Sequence, residues 1–143
     1  MSGLPPPSRG TITRMSSNPF KGRTGFDRVV RATGYSLAGL KTAYRDESAF
    51  RQEAWLAAIL LPMAFWLGRS WVEVTLLAGS VTLVLIVELL NSGIEAAIDR
   101  VSFELHDLSK RAKDLASAAV FLSLMLCGVV WVTAVWSRVS AGT

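Results

Sequence analysis

The chain has 143 residues, of which 51% are hydrophobic, and its mean hydropathy is +0.39. Because the apolar residues are grouped in long runs, this composition excludes an ordinary soluble domain and indicates an integral membrane protein. Fifteen Lys and Arg against eleven Asp and Glu give a net charge of +4, and the distribution of these cations along the chain indicates a membrane surface, not nucleic acid, as their partner.

The N-terminal part of the chain contains two different segments. Residues 1–24 are rich in Ser, Pro, Gly and Arg, so they cannot bury enough apolar surface to fold, and a disordered basic tail is predicted. From about residue 26 to 46, apolar residues recur at helical spacing while most cations fall on another face. This pattern predicts an amphipathic helix in the membrane interface. A soluble helix packed on a neighbour is the alternative interpretation.

Three apolar segments follow, and each is predicted to cross the bilayer. The first is expected at about residues 49–67, because its fourteen-residue apolar part is about 21 Å of helix and must be extended to span roughly 30 Å of hydrocarbon. The second is expected at about 71–90, continuing as a helix to about 101. A loop is predicted at 102–110, and the third span at about 115–136.

The cations orient the predicted spans. Thirteen of the fifteen Lys and Arg lie either before residue 54, where the apolar part of the first span begins, or between the second and third spans, and with three spans these two regions share one side of the membrane. The positive-inside rule makes that side cytoplasmic, with the N-terminus there and the C-terminus outside. Trp66, Trp71, Trp131 and Trp136 then gather at the opposite interface, as an aromatic belt would.

The second span ends in polar residues that share one helical face, at spacings of three, four, seven and eleven from the first of them. They are Glu88, Asn91, Ser92, Glu95 and Asp99. An ionised carboxylate well inside hydrocarbon costs roughly 2.5–3.5 kcal/mol, so a function is predicted for this face. A solvated helix end in the headgroups is the alternative, and it suits Asp99 better than Glu88. Carboxylates beside the basic residues 110–113 suit a magnesium-dependent phosphoryl transfer, in which a further carboxylate acts as base.

Three polar motifs, in this order and at this spacing, resemble those of the prokaryotic diacylglycerol kinases. They are GFDRVVRATGYSLAGLKTAYRDESAFRQE (residues 25–53), ELLNSGIEAAIDR (88–100) and HDLSKRAKD (106–114). The resemblance implies that residues 25–143 form one all-α membrane domain: a homotrimeric helical bundle with three transmembrane helices and a surface helix per subunit. It implies an enzyme of the bacterial inner membrane that transfers the γ-phosphate of MgATP to diacylglycerol, giving phosphatidic acid at the cytoplasmic face.

The resemblance also implies roles for individual residues. Glu88 falls on the catalytic base, and Glu47 and Glu95 fall on the magnesium-binding glutamates, which also contact ATP. The other ATP contacts fall on Arg28, Tyr35, Glu104, His106, Lys113 and Asp114. The lipid contacts fall on Arg28, Ala32, Tyr35, Phe50, Arg51, Glu53, Glu88 and Ser117. Asn91 and Asp99 are expected to support these groups.

Several alternatives stay open. Lys110 and Ala116 stand where the family commonly has glycine, which affects the expected nucleotide loop. Related enzymes phosphorylate undecaprenol, although the FRQE run at residues 50–53 is similar to the diacylglycerol-using branch. Glu47 and Arg51, four residues apart, could be only a surface ion pair. A small oligomeric transporter or proton relay built on Glu88, or a non-catalytic assembly subunit, are the alternatives from other functional classes.

Overall fold

A computed structural model of the chain describes residues 25–101 and 107–141. These residues form four helices: α1 (Gly25–Asp46), α2 (Ser48–Leu67), α3 (Trp71–Val101) and α4 (Asp107–Ser140). The described ranges contain no β-strand, which confirms the predicted all-α fold. The predicted disordered tail, residues 1–24, lies outside the described residues.

The chain divides into two compact units, residues 1–35 and 36–143. In the first unit the described residues belong to α1, where Arg31 forms an ion pair with Asp27 at 3.5 Å, one helical turn away. The Thr33 hydroxyl also donates to the carbonyl of Val29 at 3.0 Å. The second unit contains the end of α1, all of α2 to α4 and the acidic residues considered below.

Two helices in the described part of the chain, α3 and α4, are long and apolar enough to cross a membrane. α2 has 20 residues but no apolar stretch long enough to meet the same criterion, because Arg51, Gln52 and Glu53 occupy its first turns. A membrane association is therefore supported by α3 and α4, whereas the crossing of α2 stays a prediction.

The apolar core lies between α3 and its two neighbours, α2 and α4. Ala64 and Leu67 of α2 pack with Leu77 of α3, and Val130 and Trp131 of α4 cover them. Ala57 and Ala64 are both buried on the inner side of α2. Small residues at these positions let two helices approach closely. Inside a membrane the hydrophobic effect does not drive helices together, so this close packing stabilises their association.

A short turn at residues 68–70 joins α2 to α3 and is fixed by side chains. The Ser70 hydroxyl accepts a hydrogen bond from the Glu73 backbone N–H at 3.2 Å, and the Glu73 carboxylate accepts one from the Arg69 backbone N–H at 2.7 Å. These bonds satisfy donors at the start of α3. The Arg69 guanidinium reaches the Ser137 carbonyl of α4 at 2.8 Å. A side chain at Gly68 would lie 2.6 Å from Cγ2 of Val74, so glycine is needed for this approach.

The start of α4 differs from the prediction. A loop was expected at 102–110, but the helix begins at Asp107, so the prediction was wrong for residues 107–110. An aspartate in the first turn complements the positive end of the helix dipole. Leu, Lys, Arg and Ala, which follow it, are all good helix formers. The basic residues 110–113 therefore lie on the first turns of a helix and not in a loop.

Leu77→Ala should destabilise the bundle by about 2 kcal/mol or more, because Leu77 is only 1% exposed and its removal leaves a cavity between α2 and α4. The measurement is unfolding in mixed micelles with increasing SDS. Leu76→Ala is the matched control, since Leu76 is the neighbouring leucine and is 57% exposed. Equal losses for the two variants would contradict this description of the core.

Candidate active site

Glu88 is the buried acid of α3. It is only 4% exposed, at a depth where the helix is otherwise apolar. Three other carboxylates lie near enough to interact with its charge: those of Glu47, Glu53 and Glu95. We call these four residues the acidic cluster. They come from the α1–α2 junction, from α2 and from α3, so tertiary packing assembles the cluster from three places in the chain.

Like charges held together out of water repel one another, so the acidic cluster favours a bound cation or a proton. Two oxygens in this region lack hydrogen bonds: Oδ1 of Asn91 and Oε2 of Glu53 are both buried without a hydrogen-bond partner. Buried polar atoms are normally paired, and exceptions often mark functional sites. Each of these two oxygens is therefore suited to accept a cation or a hydrogen-bond donor of a substrate.

Asn91 holds Glu95 in place. Its Nδ2 donates to Oε1 of Glu95 at 3.2 Å, one helical turn away. In the described ranges no three acidic, histidine or cysteine side chains lie close enough to form a metal site by themselves. Mg²⁺ commonly takes only one or two protein carboxylates and fills its other positions with water and phosphate oxygens. Glu47 and Glu95, which both lie near enough to Glu88 to interact with its charge, offer the one or two carboxylates that such a partial site needs.

Glu47 lies between two helices and its side chain is not used to cap either of them. Its backbone is extended, with φ −103° and ψ 117°, and its side chain forms no hydrogen bond to the start of α2. The preceding Asp46 is already paired with Arg45 by two hydrogen bonds of 2.8 and 3.0 Å, which lower the pKa of its carboxyl group. Glu47 is therefore the carboxylate that the junction offers to the acidic cluster.

Arg51 does not form the surface ion pair with Glu47 that their spacing allows. The ion pairs of the described residues involve other side chains. Its guanidinium instead donates to the backbone carbonyls of Arg45 at 2.7 Å and Tyr44 at 3.4 Å. Sequence reasoning did not find this contact, because a side chain that binds the end of the preceding helix leaves no periodic signal.

An open cleft of about 680 Å³ lies between the last turns of α1 and the end of α3. Glu47 lines it, and the walls include Gly39 and Ala43 on α1 and Ser92 and Gly93 on α3. Small side chains on facing helices leave space for a bound group beside Glu47. In the sequence, this cleft corresponds to two short runs of small residues. The sequence-based interpretation considered only the acidic face and did not predict the cleft.

The end of α3 is joined to the start of α4 by an ion pair. Nζ of Lys113 lies 2.6 Å from the Asp99 carboxylate. Asp99 thus holds a predicted ATP-binding residue at a fixed position relative to Glu95, which lies one turn earlier on α3. Asp114 and Ser117, the next predicted contacts along α4, are exposed.

The remaining predicted residues fall into three groups. Arg28, Ala32 and Tyr35 belong to the first unit, where all three are exposed. Phe50 is 4% exposed and packs inside the second unit. Glu104 and His106 lie outside the described residues. The structure thus brings together Glu47, Glu53, Glu88, Asn91 and Glu95, and the role of each stays a prediction.

Comparisons with known proteins agree on one family. The family model described as prokaryotic diacylglycerol kinase matches residues 34–135. A diacylglycerol kinase of Pseudomonas aeruginosa is 55% identical over 119 residues, which are 83% of this chain and 97% of that protein. The diacylglycerol kinase of Haemophilus influenzae is 49% identical over 76% of this chain and 92% of its own length. That of Escherichia coli K12 is 46% identical over 80% and 94%.

Proposed function

The chain belongs to the prokaryotic diacylglycerol kinase family, and we propose that it uses MgATP to phosphorylate diacylglycerol at the cytoplasmic face of the membrane, giving phosphatidic acid. Diacylglycerol kinase activity follows from the identity of the chain to enzymes of that name over most of their length. The single structural observation that supports this reaction is the buried Glu88 inside the acidic cluster.

We assign the role of general base to Glu88. As the hydroxyl oxygen of diacylglycerol forms its bond to the γ-phosphorus of ATP, the bond from that phosphorus to the bridging oxygen breaks and ADP leaves. The hydroxyl proton passes to the Glu88 carboxylate. A base held by burial and near other carboxylates accepts a proton more readily than a solvated one, which suits this step.

Glu47 and Glu95 would hold Mg²⁺, and Asn91 keeps the Glu95 carboxylate oriented. When bound, the ion supplies positive charge that offsets the charge of the phosphates. Lys113, held by Asp99, is a second source of positive charge for the nucleotide. The cleft lined by Glu47 has room for a substrate group beside that carboxylate.

The membrane arrangement is part of the proposal. We place the N-terminus and the acidic cluster on the cytoplasmic side of the bacterial inner membrane, with α2, α3 and α4 as the three spans. We also propose a homotrimer. Many large apolar side chains of α4 are exposed in the single chain, among them Phe121, Leu122 and Val132. Lipid or neighbouring subunits would cover them.

A substrate panel tests the reaction. Purified protein is incubated with radiolabelled ATP, Mg²⁺ and either a short-chain diacylglycerol or a polyprenol in matched micelles. We expect label in phosphatidic acid and little in polyprenyl phosphate. Preferential labelling of the polyprenol would support lipid kinase activity but would identify a polyprenol, not diacylglycerol, as the substrate. No labelled lipid from a well-folded protein would contradict the proposed function.

A further inference from the structure

The junction between α1 and α2 is a break of one residue. The Glu47 N–H still donates to the Ala43 carbonyl at 2.9 Å, and the Arg51 N–H donates to the Glu47 carbonyl at 3.2 Å. Between these two bonds the backbone of Glu47 is extended and the chain changes direction. The carbonyls of Tyr44 and Arg45 at the end of α1 therefore lose their helical donors, because residues 48 and 49 already belong to α2.

The Arg51 guanidinium replaces those donors. Nη1 lies 2.7 Å from the Arg45 oxygen and 3.4 Å from the Tyr44 oxygen. A cation at the C-terminal end of a helix also complements the helix dipole. Ala43 and Phe50 are buried at the same place, so the junction is packed as well as hydrogen-bonded. One side chain on the first turn of α2 thus holds the last turn of α1.

We propose that Arg51 is a positioning residue that fixes the junction of α1 and α2 and so places the Glu47 carboxylate in the acidic cluster beside Glu88. Glu47 has no cap contact of its own to hold its side chain. Its place in the cluster therefore depends on the direction in which the chain turns at residue 47. The inference rests on the proposed function for its kinetic consequence, and it differs from the lipid contact that family resemblance implies for Arg51.

Arg51→Gln tests the inference, with Arg45→Gln as the matched control. Arg45 is a neighbouring arginine at the same junction, but its side-chain bonds go to Asp46 alone. In Arg51→Gln we expect the Mg²⁺ concentration for half-maximal turnover to rise by about 10–100-fold, the usual effect of losing a residue that orients a metal ligand. The KM for diacylglycerol should stay unchanged. Arg45→Gln should leave both values near those of the parent protein.

A second measurement does not depend on activity. Amide hydrogen exchange of residues 47–51, measured in the same micelles, should become faster in Arg51→Gln and stay unchanged in Arg45→Gln. Arg51→Lys, which keeps the charge and one donor group, should fall between them. Exchange that is unchanged in Arg51→Gln would overturn the inference, as would a raised KM for diacylglycerol with an unchanged Mg²⁺ dependence. If the parent protein showed no kinase activity, the proposed function would fail, and the exchange measurement would still decide whether Arg51 holds the junction.

Discussion

Glu88→Gln should lower the rate of phosphatidic acid formation by about 100-fold or more while leaving MgATP binding intact. Glutamine has nearly the shape of glutamate, so it fits the same buried position, but its amide cannot accept the proton of the attacking hydroxyl. A positioned general base contributes about 10²–10⁴-fold to a rate, which sets the expected size. The substitution also removes one charge from the acidic cluster, so no loss of folded protein is expected. Initial rates and the affinity for a non-hydrolysable ATP analogue are the measurements.

Glu73→Gln is the matched control for this variant. Glu73 lies at the other end of α3, where its carboxylate accepts the Arg69 N–H, and a glutamine oxygen can still accept that bond. We expect the activity of the parent protein. Full activity in Glu88→Gln would exclude Glu88 as the general base. A comparable loss in both variants would indicate that a charge anywhere on α3 is needed for folding, and that burial of Glu88 is unrelated to chemistry.

Much of the helical architecture could be predicted because its signals are local. The apolar runs of α3 and α4 and the change from apolar to polar residues at Glu88 depend only on helical periodicity. The same periodicity places Asn91 and Glu95 on the face of Glu88, and the structure shows the hydrogen bond that joins those two residues.

The approach of Glu47 and Glu53 to Glu88 could not be predicted from periodicity, because these residues are separated by more than thirty positions and meet only through packing of α2 on α3. Family resemblance pointed to Glu47 and Glu53, but it gave no contact between them and Glu88. The start of α4 at Asp107 was missed for a different reason: polar helical turns and polar loops have similar composition, so hydropathy alone does not separate them.

Glu95→Gln should raise the Mg²⁺ concentration needed for nucleotide binding by about 10-fold or more, the lower end of the usual cost of disturbing a metal site. The amide oxygen can still accept the hydrogen bond from Asn91, so the side chain keeps its position and loses only its charge. The measurement is a Mg²⁺ titration of ATP-analogue binding to the purified protein.

Glu88→Gln serves as the comparison for that titration, because it removes one charge from the same cluster at a position that is not assigned to the metal. Its Mg²⁺ dependence should match that of the parent protein. A shift of equal size in both variants would mean that Mg²⁺ responds only to the total charge of the acidic cluster. An unchanged titration in Glu95→Gln would exclude Glu95 as a magnesium ligand. A shift confined to Glu95→Gln would separate the two roles, with metal binding at Glu95 and proton transfer at Glu88, two turns apart on one helix.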